Sequence, residues 1–331
     1  MIKWSAMGDV ALASAAAQDL VHAFPGRTID LNTLAPWDAL YRDDPRFGQV
    51  YAFQLRRRGQ QFREGLRWLK QMAAARYDLV VDLQTTDRSR VMIAALGLLG
   101  RPIPYRLGNK PAFPYNIAPP STSAPRHALD IMRDTLRAGG ITAVADRPVL
   151  FPSADARLRA QRLCAGAELR PGRFAVFLPG CQAAGYLKRW GAQRYAALAA
   201  LLVSQAHVER VVLLGGPDER DECAAIASAG DHIVDLCGQT ALLEVTAICQ
   251  AARVVVGNDT GTGHLAAAGT TPVVVVCGPT DPRRVKPAGP HVHAIQAQLP
   301  CINCYRKQCA HHSCMRVITA QAVLERIVSV L

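Results

Sequence analysis

VVVGNDTGTGHLAAAGTTPVVVVCGPTDP, from Val254 to Pro282, decides how this chain is read. Two β-branched apolar runs, each too short for a helix, flank a stretch of small residues that reads as one, GTGHLAAAG. Strands that are apolar throughout are covered on both faces, which is the habit of a parallel sheet sandwiched between helices. Ligands of such sheets collect outside the carboxyl ends of the strands, and Asp259, Thr260 and Gly261 stand at such an end. Gly261 and Gly263 let a ligand approach the backbone closely. The first N–H groups of the following helix favour a phosphate, and His264, one turn in, adds a donor. Asp259 and Thr260 also suit a plain helix cap, so both readings stand at this point. There is no Gly-Lys-Ser/Thr phosphate loop. The Gly-x-Gly-x-x-Gly fingerprint of nicotinamide enzymes is absent here and after the first strand.

Outward from this stretch the same alternation fills the chain. A short strand at Ile2–Trp4 leads into the helix SAMGDVALASAAAQDLVHAF, and RTIDLNTL follows as a strand. EGLRWLKQMAAARY reads as a helix, Asp78–Gln84 as a buried strand, and RSRVMIAALGLLG as a helix ending at Gly100. RPIPYRLGNK holds another short strand, and ALDIMRDTLRAGG closes the first half as a helix. TAVADRPVLFPSADARLRA reads as the linker. The second half repeats the pattern: RFAVFLPG, RVVLLGGPDER, HIVDLCG, RVVVGND and TPVVVVCG as strands with helices between them, then the amphipathic helix TAQAVLERIVSVL. At roughly 100–200 residues per domain, 331 residues make two α/β domains. The expected division is 1–153 and 154–316, with a C-terminal helix at 317–331 packing back toward the first domain.

Half of the residues are hydrophobic, enough for two cores, and aromatics are few. No apolar run is long enough to span a membrane, and MIKWSAMGDV has no secretory h-region, so a cytoplasmic protein is expected. The formal charge of +12 favours anionic partners. The basic residues are scattered, with no stripe interleaved with aromatics, so a nucleic acid is not the expected partner.

Other strand ends carry chemistry. Gly8-Asp9 follows the first strand, where Asp9 is either a helix cap or a general base. LPGCQAAGYLKRW brings Lys188 into the loop after the first strand of the second half, where a cation can neutralise a diphosphate. LLGGPDER ends a strand with two glycines before Asp218 and Glu219; an acidic residue there suits ribose hydroxyls, and equally a helix cap.

With these pieces in order, the chain resembles glycosyltransferase family 9, the ADP-heptose:lipopolysaccharide heptosyltransferases. The resemblance rests on SAMGDVALA, VVDLQTTDRSR, LPGCQAAGYLKRWGAQRYAALA, LLGGPDER, LCGQTALLE, GNDTGTGHLAAAGTTPVVVVCGPTDP and CINCYRKQCAHHSCMRVITAQAV, and spans nearly the whole chain. It implies a GT-B fold, two Rossmann-like domains facing across a cleft, the first for the acceptor and the second for the nucleotide sugar. It implies an inverting, metal-independent transfer of heptose from ADP-heptose to the lipopolysaccharide inner core. Asp9 then matches the proposed base. Lys188, the backbone N–H groups of Thr260 and Gly261, and His264 would meet the charge on the leaving diphosphate. By the same resemblance Asp259 holds sugar hydroxyls, Glu219 or Asp218 the ribose, and Thr240 lies near the adenine. Arg88, Arg90 and Arg106 would meet acidic groups of the acceptor. A transferase of the same fold using another nucleotide sugar or a protein acceptor is the alternative. The chain departs from the family in its short first strand and in lacking Thr or Ser beside Lys188. An acceptor on an anionic glycolipid would explain the basic charge, with the protein resting peripherally on the inner membrane.

Ten cysteines lie from Cys164 onward. Four of them, Cys301, Cys304, Cys309 and Cys314, sit at short spacing with His311 and His312 between them. In a chain expected in the cytosol this fits a structural zinc or iron, or four reduced thiols packing a loop, rather than disulfides. No metal is expected in catalysis.

Overall fold

The computed structural model describes residues 1–55, 57, 59–121, 126–181 and 183–331. The chain divides into two compact units, Met1–Phe151 and Pro152–Leu331; the division falls slightly before the one expected from the sequence.

The first unit runs β1 (Ile2–Lys3), α1 (Met7–Ala23), β2 (Ile29–Leu34), β3 (Phe47–Phe53), α2 (Gln61–Ala75), β4 (Leu79–Val81), α3 (Asp87–Leu98), β5 (Tyr105–Leu107) and α4 (Ala128–Ala138). β1, β2 and β3 pair in parallel, as do β4 and β5. A parallel bridge between Ile2 and Asp82 joins the two ladders, giving the order β3-β2-β1-β4-β5. Ile2, Trp4, Leu34, Phe53, Trp68, Val80, Ile93 and Leu96 form the core beneath it. Trp4 meets Trp68 edge-on at 5.6 Å, a favoured aromatic geometry. α1 is buried from Val10 through Ala17, because its run of alanines leaves a cylinder thin enough to be covered on most sides.

The second unit runs α5 (Ala154–Gly166), β6 (Phe174–Leu178), α6 (Ala192–Ser204), β7 (Arg210–Leu213), α7 (Arg220–Ala227), β8 (Ile233–Asp235), α8 (Leu242–Ala251), β9 (Val254–Asn258), α9 (Gly261–Ala266), β10 (Val273–Cys277), α10 (Pro282–Val285), β11 (Val292–Gln296), α11 (Ser313–Arg316) and α12 (Ala320–Val328). Its six strands are all parallel in the order β8-β7-β6-β9-β10-β11. That is the doubly wound order, and the chain reverses direction across the sheet between β6 and β9. Every residue of β6, β9 and β10 is buried, as their apolar runs require. β6 and β9 come very close: a Cβ on Gly257 would stand 2.9 Å from that of Leu178.

Two strands, β3 and β11, are additional to those expected. Both are edge strands and only partly buried, so neither shows the apolar run that marks a central strand. The end of the expected linker is helical instead. Ser153 caps α5 by accepting the Ala156 N–H at 3.3 Å, and Arg159 ties the helix to Glu244 of α8 at 2.5 Å. The polar face of α5 hides the helix from a reading of apolar spacing. α12 packs on α6 and β10 of its own unit, with Val323, Leu324 and Ile327 in that unit's core. Among the described residues no helix is long and apolar enough to cross a membrane.

Candidate functional site

The loops that leave β6 and β9 meet where the sheet reverses. Asn258, the last residue of β9, is fully buried. Its amide oxygen accepts the Trp190 N–H at 3.2 Å and the Tyr195 hydroxyl at 3.1 Å, and its amide nitrogen donates to the Pro179 carbonyl. One side chain therefore stitches the end of β9 to the loop after β6. That stitch sets the next residue, Asp259, opposite Lys188. The Lys188 ammonium donates to Asp259 Oδ2 at 2.7 Å and reaches the Asp259 carbonyl at 3.4 Å. Thr280, from the Gly-Pro-Thr after β10, donates to the same Oδ2 at 2.9 Å. Asp259 and Thr280 are each only 5% exposed, whereas the Lys188 side chain is 32% exposed.

This arrangement separates the two readings of the opening stretch. Asp259 does not cap α9, because its carboxylate is taken by Lys188 and Thr280. Thr260 occupies the cap position with no side-chain bond to the backbone; its hydroxyl pairs with that of Thr262 at 2.9 Å. Gly261 opens α9, and His264 is buried within it. Gln182, in the loop between β6 and Lys188, lies outside the described residues.

Of the acidic pair after β7, Glu219 faces inward and Asp218 is exposed. The Glu219 carboxylate accepts the Gly216 N–H. It also lies against Gly180 beyond β6, where a Cβ would stand 2.0 Å from Glu219 Cγ. Only glycine leaves room for Glu219 at that strand end. Thr240 sits just before α8, whose first turn is capped by Glu244 through the Ala241 N–H at 2.9 Å.

In the first unit Asp9 stands in the first turn of α1, half-buried, and Ala6 holds the cap position. Among the described residues no hydrogen bond or ion pair engages its carboxylate. Polar groups also gather at the ends of β1 and β4. Gln84, beyond β4, accepts the Trp4 N–H at 2.9 Å and the Ser5 hydroxyl at 2.8 Å, and donates to the Trp4 carbonyl at 2.9 Å. Lys3 is buried and donates to the Leu83 carbonyl at 3.0 Å. Burial pushes the Lys3 ammonium down, against the attraction of Asp9 and Asp82. Burial pushes the Asp82 carboxyl up, although Tyr115 donates to it at 2.6 Å.

The three arginines behave differently. Arg88 is exposed in the first turn of α3 and donates to the Leu55 carbonyl at 2.9 Å. Arg90 pairs with Asp87 at 3.4 Å. Arg106 is a structural brace: its guanidinium donates to the carbonyls of Pro114 at 2.5 Å, Ile103, and Pro104 at 3.2 Å. The proline-rich turns around β5 leave carbonyls without strand partners, and Arg106 satisfies them.

Cys301, Cys304, Cys309 and Cys314 line one cavity of about 250 Å³ together with His311 and His312. Burial and the three neighbouring thiols push the Cys314 thiol up. No three of the four bring their sulfurs within 4.8 Å of one another; among the described residues that spacing occurs at Cys223, Asp235 and Cys237. The cysteine loop braces the site at Asp259. His312 Nε2 contacts the Leu187 carbonyl at 2.6 Å, the Tyr305 N–H donates to Pro279 at 2.9 Å, and Gln296 donates to the Thr280 carbonyl at 2.8 Å. Thr280 and Asn258 hold Asp259 and its strand end in place, and Gln84 and Lys3 tie the ends of β1 and β4 together; spacing alone singled out none of the four. Thr280 had a signal in its Gly-Pro-Thr, and Asn258 had one as a polar residue ending an apolar strand.

Similarity to known proteins falls on this same frame. Residues 142–314 match the profile of glycosyltransferase family 9 (heptosyltransferase). Lipopolysaccharide heptosyltransferase 2 of Salmonella typhimurium is 25% identical over 345 residues, covering 98% of this chain and 96% of that protein. Lipooligosaccharide heptosyltransferase 2 of Haemophilus influenzae is 30% identical over 159 residues, 46% of this chain; the chain spans about half the length of that relative, 45%. In three dimensions the chain is similar to the E. coli ADP-heptose lps heptosyltransferase II, with a TM-score of 0.76 at 22% identity over 99% of this chain and 97% of that one. That likeness carries the GT-B fold, and the profile covers the segments after β6, β7, β9 and β10 that carry Lys188, Glu219, Asp259 and Thr280. The chain belongs to glycosyltransferase family 9, the heptosyltransferases.

Proposed function

We propose that this glycosyltransferase moves a heptose from ADP-heptose to a sugar of the lipopolysaccharide inner core, with inversion and with no catalytic metal. The observation that carries the reading is the Lys188–Asp259–Thr280 cluster at the point where the second sheet reverses, the place where doubly wound sheets take nucleotides. The names of the relatives, heptosyltransferases acting on lipopolysaccharide or lipooligosaccharide, support the choice of sugar and acceptor.

In this reading the acceptor oxygen bonds to the anomeric carbon as the bond from that carbon to the diphosphate breaks. The acceptor proton passes to the Asp9 carboxylate, and ADP leaves with the electron pair. Fixed donors meet the charge that grows on the diphosphate: the Lys188 ammonium, the N–H groups of Thr260 and Gly261, and His264. Asp259, held by Lys188 and Thr280, turns its free carboxylate oxygen to the heptose hydroxyls. Glu219 takes the ribose, with Asp218 further out, and Thr240 lies toward the adenine. Arg88 and Arg90 serve the acceptor, while Arg106 braces the turns around β5.

Calorimetry with ADP, ADP-heptose and UDP-sugars tests the reading, on the wild type and on Asp259→Ala. The expected result is adenine-selective binding in which ADP-heptose loses its advantage over ADP in the variant. Preference for a UDP-sugar would keep the fold and overturn the donor. No nucleotide binding would overturn the site.

The four thiols around the C-terminal cavity form the donor set for a structural zinc or iron. Their sulfurs stand wider than ligand spacing, so the loop would have to draw inward around the ion. Elemental analysis should find about one equivalent of metal per chain less in Cys304→Ser than in the wild type. Equal metal content in both proteins would exclude it.

A further inference from the structure

A second group of soft ligands lies apart from that loop. Cys223 projects from α7, Asp235 ends β8 and Cys237 follows it. One ligand atom from each lies within 4.8 Å of the other two. Cys223 is fully buried, Cys237 is 7% exposed, and Asp235 is half-buried. The Asp235 carboxylate already accepts the Cys237 N–H at 2.8 Å, which orients it beside the sulfur. Burial pushes both thiols up.

The group adjoins the loop after β7. Cys237 Sγ contacts the Gly216 carbonyl at 3.1 Å, and the Gly216 N–H holds the Glu219 carboxylate. A Cβ on Gly215 would stand 3.0 Å from Glu219 Oε2 and 3.3 Å from Cys237 Sγ. Sulfur and carboxylate therefore flank one glycine.

We infer that Cys223, Asp235 and Cys237 form a binding site for one thiophilic divalent cation of the zinc class. Two sulfurs and one carboxylate oxygen are three of the four ligands such an ion takes, and water fills the fourth place. Binding releases the two thiol protons to solvent as two metal–sulfur bonds form. The Cys237 sulfur, once a metal-bound thiolate, no longer donates to the Gly216 carbonyl. The Gly215–Gly216 turn loses a support, and Glu219 shifts with it. Occupation of this site thus weakens nucleotide binding; this second step rests on the donor-site reading above, and the first does not.

The test is a titration of the metal-stripped full chain with Co²⁺, followed by thiolate-to-metal absorbance, on wild type, Cys237→Ser and Asp235→Asn. Both positions are reachable from solvent more readily than Cys223, and circular dichroism confirms that each variant folds. The expected result is that Cys237→Ser binds about one equivalent less than wild type, whatever the C-terminal loop retains, and that Asp235→Asn weakens that equivalent about tenfold or more. Equal stoichiometry and affinity in all three proteins would overturn the site. ADP calorimetry with and without Zn²⁺ reads the second step. Weaker ADP binding in wild type but not in Cys237→Ser supports the link to Glu219. A lost equivalent with unchanged ADP affinity keeps the cation site and overturns the link.

Discussion

Asp9→Asn is expected to lower kcat for sugar transfer by about 10²–10⁴-fold, the usual contribution of a positioned general base. The substitution keeps shape and volume while removing the negative charge and, with it, the ability to take a proton. Asp9 is suited to the task because it stands half-buried in the first turn of α1 and, among the described residues, is not tied into an ion pair. The residues proposed to bind the donor all lie in the other unit, so ADP affinity should be unchanged. Steady-state transfer assays beside ADP calorimetry separate the two quantities. A fall in ADP affinity that accounted for the whole loss would assign Asp9 to binding, and full activity would remove it from the mechanism.

Lys188→Ala is expected to act on both binding and chemistry. It takes away the cation proposed to meet the leaving diphosphate, which by analogy with the loss of a preorganised donor costs about 10²–10³-fold in kcat. It also leaves a carboxylate that is only 5% exposed with Thr280 as its remaining partner. The loss of a hydrogen bond to a charged group costs about 1.5–3 kcal/mol, so the second unit should melt at a lower temperature. Adding Asp259→Asn to Lys188→Ala should return much of that stability and none of the rate. Thermal melts and turnover rates on the single and double variants measure this directly. Additive losses in stability would mean that the 2.7 Å pair is not energetically coupled.

The acidic residues of LLGGPDER were equivalent by spacing, since both follow a strand and precede a helix. The fold distinguishes them: Glu219 lies over Gly180 and bonds to Gly216, while Asp218 points to solvent. Arg106 shows the reverse outcome. The resemblance implied an acceptor ligand there, whereas in the fold its guanidinium is taken by the carbonyls of Pro114 and Pro104 in the turns around β5. Cys223 and Cys237 escaped notice in the sequence because one lies in α7 and the other in the loop after β8, and only the fold brings them together.

The sequence by itself determined the strand–helix alternation, the parallel sheets and the family. Each depends on local periodicity or on contiguous motifs, and both are properties of neighbours along the chain. It also marked Asp259 and Lys188 as residues at strand ends. Only the tertiary structure decided that these two, with Thr280, are one cluster: the pair is 71 positions apart in the chain, and the crossing order of β6, β9 and β10 brings them together. Edge strands β3 and β11, the packing of α12, and the choice between Asp218 and Glu219 were decided there too. In each case the deciding contacts join distant segments, and no local pattern records which distant segment a surface will meet.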